Sequence, residues 1–346
     1  MTDLTEQEVI EVGELDLDQW NDYASEQGWS DGMPLYPPTE EKVERLVETC
    51  RGDNEPFQPM SPRRVIPTLN SIAANAAMAG CRPEHFPVVV AAVRAVLNPD
   101  YNLHGTLATT HPCAQMMAVS GPIRRRIELN CGSNCFGQGT RANAAIGRAL
   151  QLTLLNVGGA KPGDMDRSTQ GSPAKYAFCF GENEEESPWE PYHVRRGFAA
   201  DDSVVTVMAG EAPHNINDHG STTGEGLLTT IAGTISQTGA NVLSGHAPYF
   251  VILGPEHAAT IHRDGWTIAD MQEKIYKDSA VEASRLSKEK HAGYEEREIP
   301  LVDNRYHLTP SPAEIQILVA GGPGKHSAYI PSFGHNEACS VRIAHT

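Results

Sequence analysis

Met116-Met-Ala-Val-Ser-Gly-Pro122 is a short apolar run closed by a glycine and a proline. Such a run reads as a buried strand, because proline cannot donate to a ladder and glycine lets the chain turn. The same punctuation follows Phe250 to Leu253 (Gly254-Pro255) and Ile315 to Ala320 (Gly321-Gly322-Pro323), while Val204 to Met208 runs into Ala209-Gly210. What lies beyond each stop is polar. Gly210-Glu-Ala-Pro-His214, Gly254-Pro-Glu-His257 and Gly322-Pro-Gly-Lys-His326 each carry a histidine a few residues past the glycine, and Pro122 is followed by Arg124, Arg125 and Arg126. Ligands of open α/β sheets bind beyond the carboxyl ends of the strands. These imidazoles and guanidiniums are therefore expected to line one site.

Working outward, the runs alternate with helical patterns. Helices are expected from Thr39, over Ile72 to Ala79, Phe86 to Leu97, Thr140 to Asn156, Glu225 to Gln237 and Thr267 to Lys277. Thr39 is expected as an N-cap, and Thr267 with Asp270 as a capping box. The expected fold is α/β, with mostly parallel sheets and flanking helices. His111-Pro112 before one Gly-Pro strand and His246-Ala-Pro248 before another suggest a degenerate internal duplication. Residues 1–60 read as an N-terminal wrapping arm. Residues 61–200 form a first α/β half with a lid-like insert that includes Glu182 to His193, and residues 201–346 a second half. Ser340 to Ala344 is an expected edge strand.

Composition narrows the function classes. Of 346 residues, 40% are hydrophobic and 21% charged, and no window approaches the roughly 18 apolar residues of a membrane span. The 44 acidic residues against 27 basic give a formal charge of −17, which opposes nucleic-acid binding. The acidic start lacks a secretory pattern, and the seven cysteines lack the density of a disulfide framework. A cytoplasmic enzyme without nucleic-acid or membrane partners is expected, as a homo-oligomer with C2 symmetry the default.

The post-strand residues suit metal-assisted or acid/base chemistry. Neutral imidazole is a general base near pH 7 and a common ligand of divalent metals. His214, His257 and His326 are the candidate ligands or acid/base groups, joined by His111 and by Glu211 and Glu256, which would orient an imidazole or move a proton. His104, Arg124, Arg141, Lys325 and Glu182 are candidate substrate contacts. Trp189 between Pro188 and Pro191 suggests a rigid segment that could aim Glu182 or Glu184 at the pocket.

Gly137-Gln-Gly-Thr-Arg-Ala142 matches a dinucleotide fingerprint in form, but no strand directly precedes it and no acidic residue follows on a second strand. An anion at this helix start remains open. Cys131-Gly-Ser-Asn-Cys135 has three intervening residues and no second pair, so it does not read as a zinc or iron–sulfur site. Cys113, Cys131, Cys135 and Cys179 stay open as a redox set.

The strings Ala73-Ala-Asn-Ala-Ala-Met-Ala-Gly-Cys-Arg-Pro-Glu84, Leu103-His-Gly-Thr106, Thr110-His-Pro112, Arg141-Ala-Asn-Ala-Ala-Ile-Gly-Arg-Ala149, Asn156-Val-Gly-Gly-Ala160 and Glu182 to Pro191 resemble a bacterial family. Its chains are the large part of systems that also contain a small UGSC-motif (seleno)protein. The resemblance spans roughly Gly28 to the C-terminus. It implies a small thiol or selenol redox partner, but no reaction and no catalytic residues.

Three functions follow as expectations. The first is an enzyme acting on a small anionic metabolite by histidine- or metal-assisted addition, elimination or hydrolysis, using a divalent metal ion. The alternative is a subunit of a thiol-dependent reductase working with the small redox (seleno)protein. The third is a non-catalytic assembly subunit.

Overall fold

In the computed structural model the chain is described over residues 9–245 and 247–344, apart from the side chain of Ser244. His246, and with it the expected counterpart of His111, lies outside the described residues, as do positions 1–8 of the N-terminal segment. Among the described residues ten strands are present: β1 Ala114–Ser120, β2 Cys179–Gly181, β3 Val204–Gly210, β4 His214–Asn217, β5 Tyr249–Leu253, β6 Val281–Glu282, β7 Arg305–Tyr306, β8 Ile315–Val319, β9 His326–Ile330 and β10 Cys339–Arg342. Eight of them build two four-stranded sheets, in the orders β10-β3-β1-β2 and β4-β9-β5-β8.

The expected α/β class holds, but the sheets are mixed rather than mostly parallel. Each contains one parallel pair, β1 with β2 and β5 with β8. The remaining pairs, β1 with β3, β3 with β10, β5 with β9 and β9 with β4, are antiparallel. Apolar runs closed by Gly or Pro show where strands stop. They carry no information on strand direction, which depends on how the connecting segment returns.

Both sheets therefore show the sequence parallel, antiparallel, antiparallel, read from β2 or from β8. The outer strands are exchanged between sheets. β4, which follows β3 in the chain, pairs with β9 of the second sheet, and β10, which follows β9, pairs with β3 of the first. A division at residue 200 cuts the first sheet, because β3 belongs with β1. Where the chain crosses over, Gly210 bridges Ser332, and the Glu211 amide donates to Pro331 O at 2.8 Å.

The two sheets pack face to face. Met116 and Ala118 of β1, Phe180, Met208, Phe250, Ile252, Leu318, Ala328 and Ile330 form one buried cluster between them. The alternate residues Met117, Val119, Val205 and Val207 pack outward against helices Leu69–Met78, Phe86–Leu97 and Arg141–Thr153. On the other side Tyr249, Val251, Leu253, Ile317 and Tyr329 pack against helices Gly224–Ile235, Pro255–Arg263 and Ile268–Asp278. A strand covered on both faces buries both parities of its side chains. This is why β1, β3 and β5 are predominantly apolar and buried at every position. Trp20, Ala24, Leu35 and Leu46, ahead of these elements, join the first helical core.

Local expectations fare well where a cap fixes the backbone. Thr39 accepts from the Lys42 amide at the start of helix Glu40–Val47, and Thr267 with Asp270 forms the capping box of Ile268–Asp278. β10 is an edge strand, Cys339–Arg342, overlapping the range Ser340 to Ala344 read from the sequence.

Candidate metal centre

β1 and β2 are parallel neighbours, with Val119 opposite Gly181, so the chain leaves both at the same edge of the sheet. After β1, Gly121 turns at φ +88°, and a Cβ there would fall 2.1 Å from Asp202 O. Only glycine fits so close an approach in the left-handed region. The turn brings Arg124 back over the strand end. Its Nε donates to Gly121 O (3.0 Å), Nη1 to Glu182 O (2.6 Å), and the guanidinium pairs with Glu184 at 2.6 Å and Glu185 at 3.1 Å.

After β2, Glu182 extends the ladder through its amide to Val119 O, and its carboxylate turns inward. Ser120 Oγ donates to Oε2 at 2.6 Å, and the Tyr192 amide donates to both carboxylate oxygens at 2.9 and 3.0 Å. Asn183 ties this corner to the second sheet, its amide donating to Val319 O and its Nδ2 to Gly321 O. Glu184 Oε1 accepts from the Gly121 amide at 2.6 Å.

His193 completes the cluster from the short helix Tyr192–Arg195. Its side chain is fully buried, Nδ1 lies 3.9 Å from Glu184 Oε1, and neither ring nitrogen has a hydrogen-bond partner. A buried polar group left unpaired costs roughly 1–3 kcal/mol. Ligand atoms of Glu182, Glu184 and His193 all lie within 4.8 Å of one another, so the three can hold a metal ion. Two carboxylates and an imidazole suit zinc, manganese or ferrous iron. Arg124 and the Gly121 amide, bonded to the Glu184 carboxylate, are the kind of outer partners that orient a ligand.

The electrostatics are those of a crowded acidic corner. Burial, reinforced by the Glu184 charge, pushes the Glu182 carboxyl up to about 7 against the hydrogen bonds from Ser120 and Tyr192. For Glu185, burial also raises, but bonds from Arg124 and Arg125 outweigh it and hold the carboxyl at about 2. Arg124 loses by burial and gains more from Glu185 and Glu184, so it stays firmly charged.

The three post-strand histidines do not assemble as ligands. Asn217 pairs with His326 and His214 with Tyr329, which sets His214 and His326 three residues apart along the β4–β9 ladder, about 10 Å by strand geometry. His257 is buried and fully bonded. Its Nε2 donates to Asp218 O at 3.1 Å, so Nδ1 accepts from Ser327 Oγ at 2.8 Å. Burial lowers its pKa. His326 bonds Asn215 through Nδ1, and its Nε2 lies 3.3 Å from Nε2 of His219, a neighbour the sequence reading missed. Among the described residues, only Glu182, Glu184 and His193 form a three-ligand group.

The remaining candidates are dispersed. His111 Nε2 meets Glu211 Oε1 at 2.9 Å, at the opposite end of the β1–β3 ladder from Glu182. Glu256 and His104 are exposed. Lys325 donates to His219 O, and Arg141 Nε donates to Gly80 O. Arg124 and Glu182, expected to touch substrate, are instead 3% and 0% exposed, because the acids after β2 occupy the one and Ser120 with Tyr192 the other. All seven cysteines are free. Burial pushes Cys113 and Cys135 up to about 12, and raises Cys131 despite its hydrogen bond from Arg124. It raises Cys179 further.

His193 was legible only as part of the acidic stretch Glu182 to His193. The usable signal was its position: the segment leaves a strand running parallel to the Gly-Pro strand β1. Among the described residues, no helix is long and apolar enough to cross a membrane. No protein-family model, curated protein or solved structure matches the chain.

Proposed function

We propose that this chain is a metal-dependent enzyme, with Glu182, Glu184 and His193 as the protein ligands, acting on a small anionic metabolite by hydrolysis or addition–elimination. The observation that carries the reading is His193: a fully buried imidazole, unpaired at both nitrogens, beside two carboxylates within ligand distance. A divalent ion held by three protein ligands keeps a position for water, which it acidifies, or for a substrate oxygen. Arg124 fixes Glu184 and offsets part of the local negative charge. Ser120 and the Tyr192 amide fix Glu182. Glu184, 17% exposed, is the ligand nearest to solvent.

The test is elemental analysis of protein purified without chelator. About one equivalent of a transition metal is expected in the wild type, and loss of it in His193→Ala and Glu184→Gln. A panel of small carboxylate-bearing esters and hydroxy acids should be turned over by the loaded wild type and not by His193→Ala. Absence of metal, together with no rise in Tm when zinc, manganese or ferrous ions are added to EDTA-treated protein, overturns the metal. Turnover untouched by His193→Ala overturns the enzyme reading.

One observation favours the thiol-dependent reading. Cys131 Sγ lies 3.6 Å from Arg124 Nη1, at the edge of the same corner, where a docked redox partner would meet it. Against it stand the raised thiols, since the thiolate is the nucleophile.

A further inference from the structure

A charged concavity lies on the first helical layer. A cavity of about 340 Å³ is lined by Tyr36, Lys42, Arg45, Cys81, Arg82 and Arg141 and by no acidic side chain. On a chain of formal charge −17, four cations converging on one hollow are not a by-product of composition. Like charges gathered without counter-ions repel one another, and an anion relieves that repulsion.

The cations are only lightly engaged. Lys42 Nζ donates to Pro37 O at 2.9 Å, and Arg141 uses Nε on Gly80 O at 3.0 Å, which leaves both Nη groups. Arg82 stands 3.9 Å from Glu84, with both side chains about half exposed, where a pair contributes little. Arg45 makes no ion pair among the described residues. The lining also carries one aromatic ring, that of Tyr36. Tyr36 is 54% exposed and lies against Gly80, where a Cβ would meet the ring at 3.0 Å on a backbone of φ +84°. Glycine at this turn leaves room for the edge of the ring, over which Lys42 Nζ stands 5.8 Å from the centroid.

We infer that this cavity binds a phosphorylated small molecule carrying a flat ring, the chemistry of a nucleoside phosphate, at a site separate from the Glu182 corner. Guanidinium forks match phosphate oxygens two at a time, an exposed tyrosine offers a stacking face, and the volume falls within the range of small-ligand pockets.

The test is isothermal titration of the full chain with pyrophosphate, ADP and adenosine. Pyrophosphate and ADP are expected to bind, more weakly as salt rises. Both should lose about tenfold or more in affinity in Arg45→Ala/Arg82→Ala, whose exposed side chains can be removed without unfolding, as circular dichroism would verify. Tyr36→Ala should weaken ADP and spare pyrophosphate. His193→Ala should leave both unchanged, which separates this site from the metal centre. No heat with either ligand up to about 1 mM, affinity unchanged in the double variant, or adenosine binding as tightly as ADP overturns the inference.

Discussion

The corners after β1 and after β5 share one backbone design and differ in what fills it. Gly121-Pro-Ile-Arg124 follows the first strand and Gly254-Pro-Glu-His257 the second, so Arg124 and His257 stand at the same offset. At each glycine a Cβ would fall 2.1 Å from a carbonyl of the antiparallel neighbour segment, Asp202 O or His326 O. In each a backbone amide donates to a serine of that segment at 3.1 Å, Ile123 to Ser203 and Gly254 to Ser327. The parallel neighbours differ. β2 continues into Glu-Asn-Glu-Glu, whereas β8 continues into Ala-Gly-Gly-Pro. The first corner is therefore charged, with an imidazole left unpaired. The second buries no carboxylate or guanidinium and is neutral in that sense, its imidazole bonded at both nitrogens. A shared strand-end geometry creates room for chemistry, and the adjacent parallel strand decides whether donors are supplied.

The largest expected effect comes from removing the cation of the charged corner. Arg124→Met leaves the largely buried Glu184 without its cation and Glu185 with Arg125 alone, which should cost about 3–5 kcal/mol in urea unfolding. His257→Ala strips Ser327 and Asp218 O of their bonds in the neutral corner, and should cost about 1–3 kcal/mol while leaving metal content intact. If His257→Ala proved the more destabilising, or emptied the protein of metal, the contrast between the corners would fail.

The corners should also answer pH in opposite senses. Glu182 is raised above its unfolded value, so the metal-free fold binds that proton more tightly. The resulting stability is full below about pH 4.5 and is lost as pH rises through about 7. His257 is lowered by burial, so the unfolded chain binds its proton first. Its stability is full above about pH 6.5 and is lost as pH falls. In EDTA-treated protein, Glu182→Gln should gain on the wild type as pH rises towards about 8, by up to ~3 kcal/mol. His257→Gln should gain on it as pH falls below about 6. Urea midpoints across that range give both slopes, and parallel curves for wild type and Glu182→Gln would remove the contrast.

Strand ends and caps were legible because they are written in single residues: Gly121 and Pro122, Gly254 and Pro255, Thr39, and Thr267 with Asp270. Strand direction was not. The exchange of β4 and β10 between sheets depends on loops whose residues, such as Glu211 to Pro213, carry no directional mark. The site was half legible. The rule that ligands gather beyond strand ends points to the edge where Glu182, Glu184 and His193 meet. Histidine spacing points to a different corner, because nothing local distinguishes His257, bonded at both nitrogens, from His193, bonded at neither. That difference is made by Ser327 and the Asp218 carbonyl on one side, and by a parallel neighbour that presents carboxylates on the other.

The smallest expected effect lies at the rim of the neutral corner. His326 is exposed, and its partners Asn215 and His219 can reach water once it is gone. Exposed substitutions away from buried networks usually change stability by no more than about 0.5 kcal/mol. His326→Ala should therefore leave the urea midpoint and the metal content almost unchanged, in the same assays that register Arg124→Met and His193→Ala. Loss of metal in His326→Ala would return the ligand set to the post-strand histidines and take it from the corner where β1 and β2 end together.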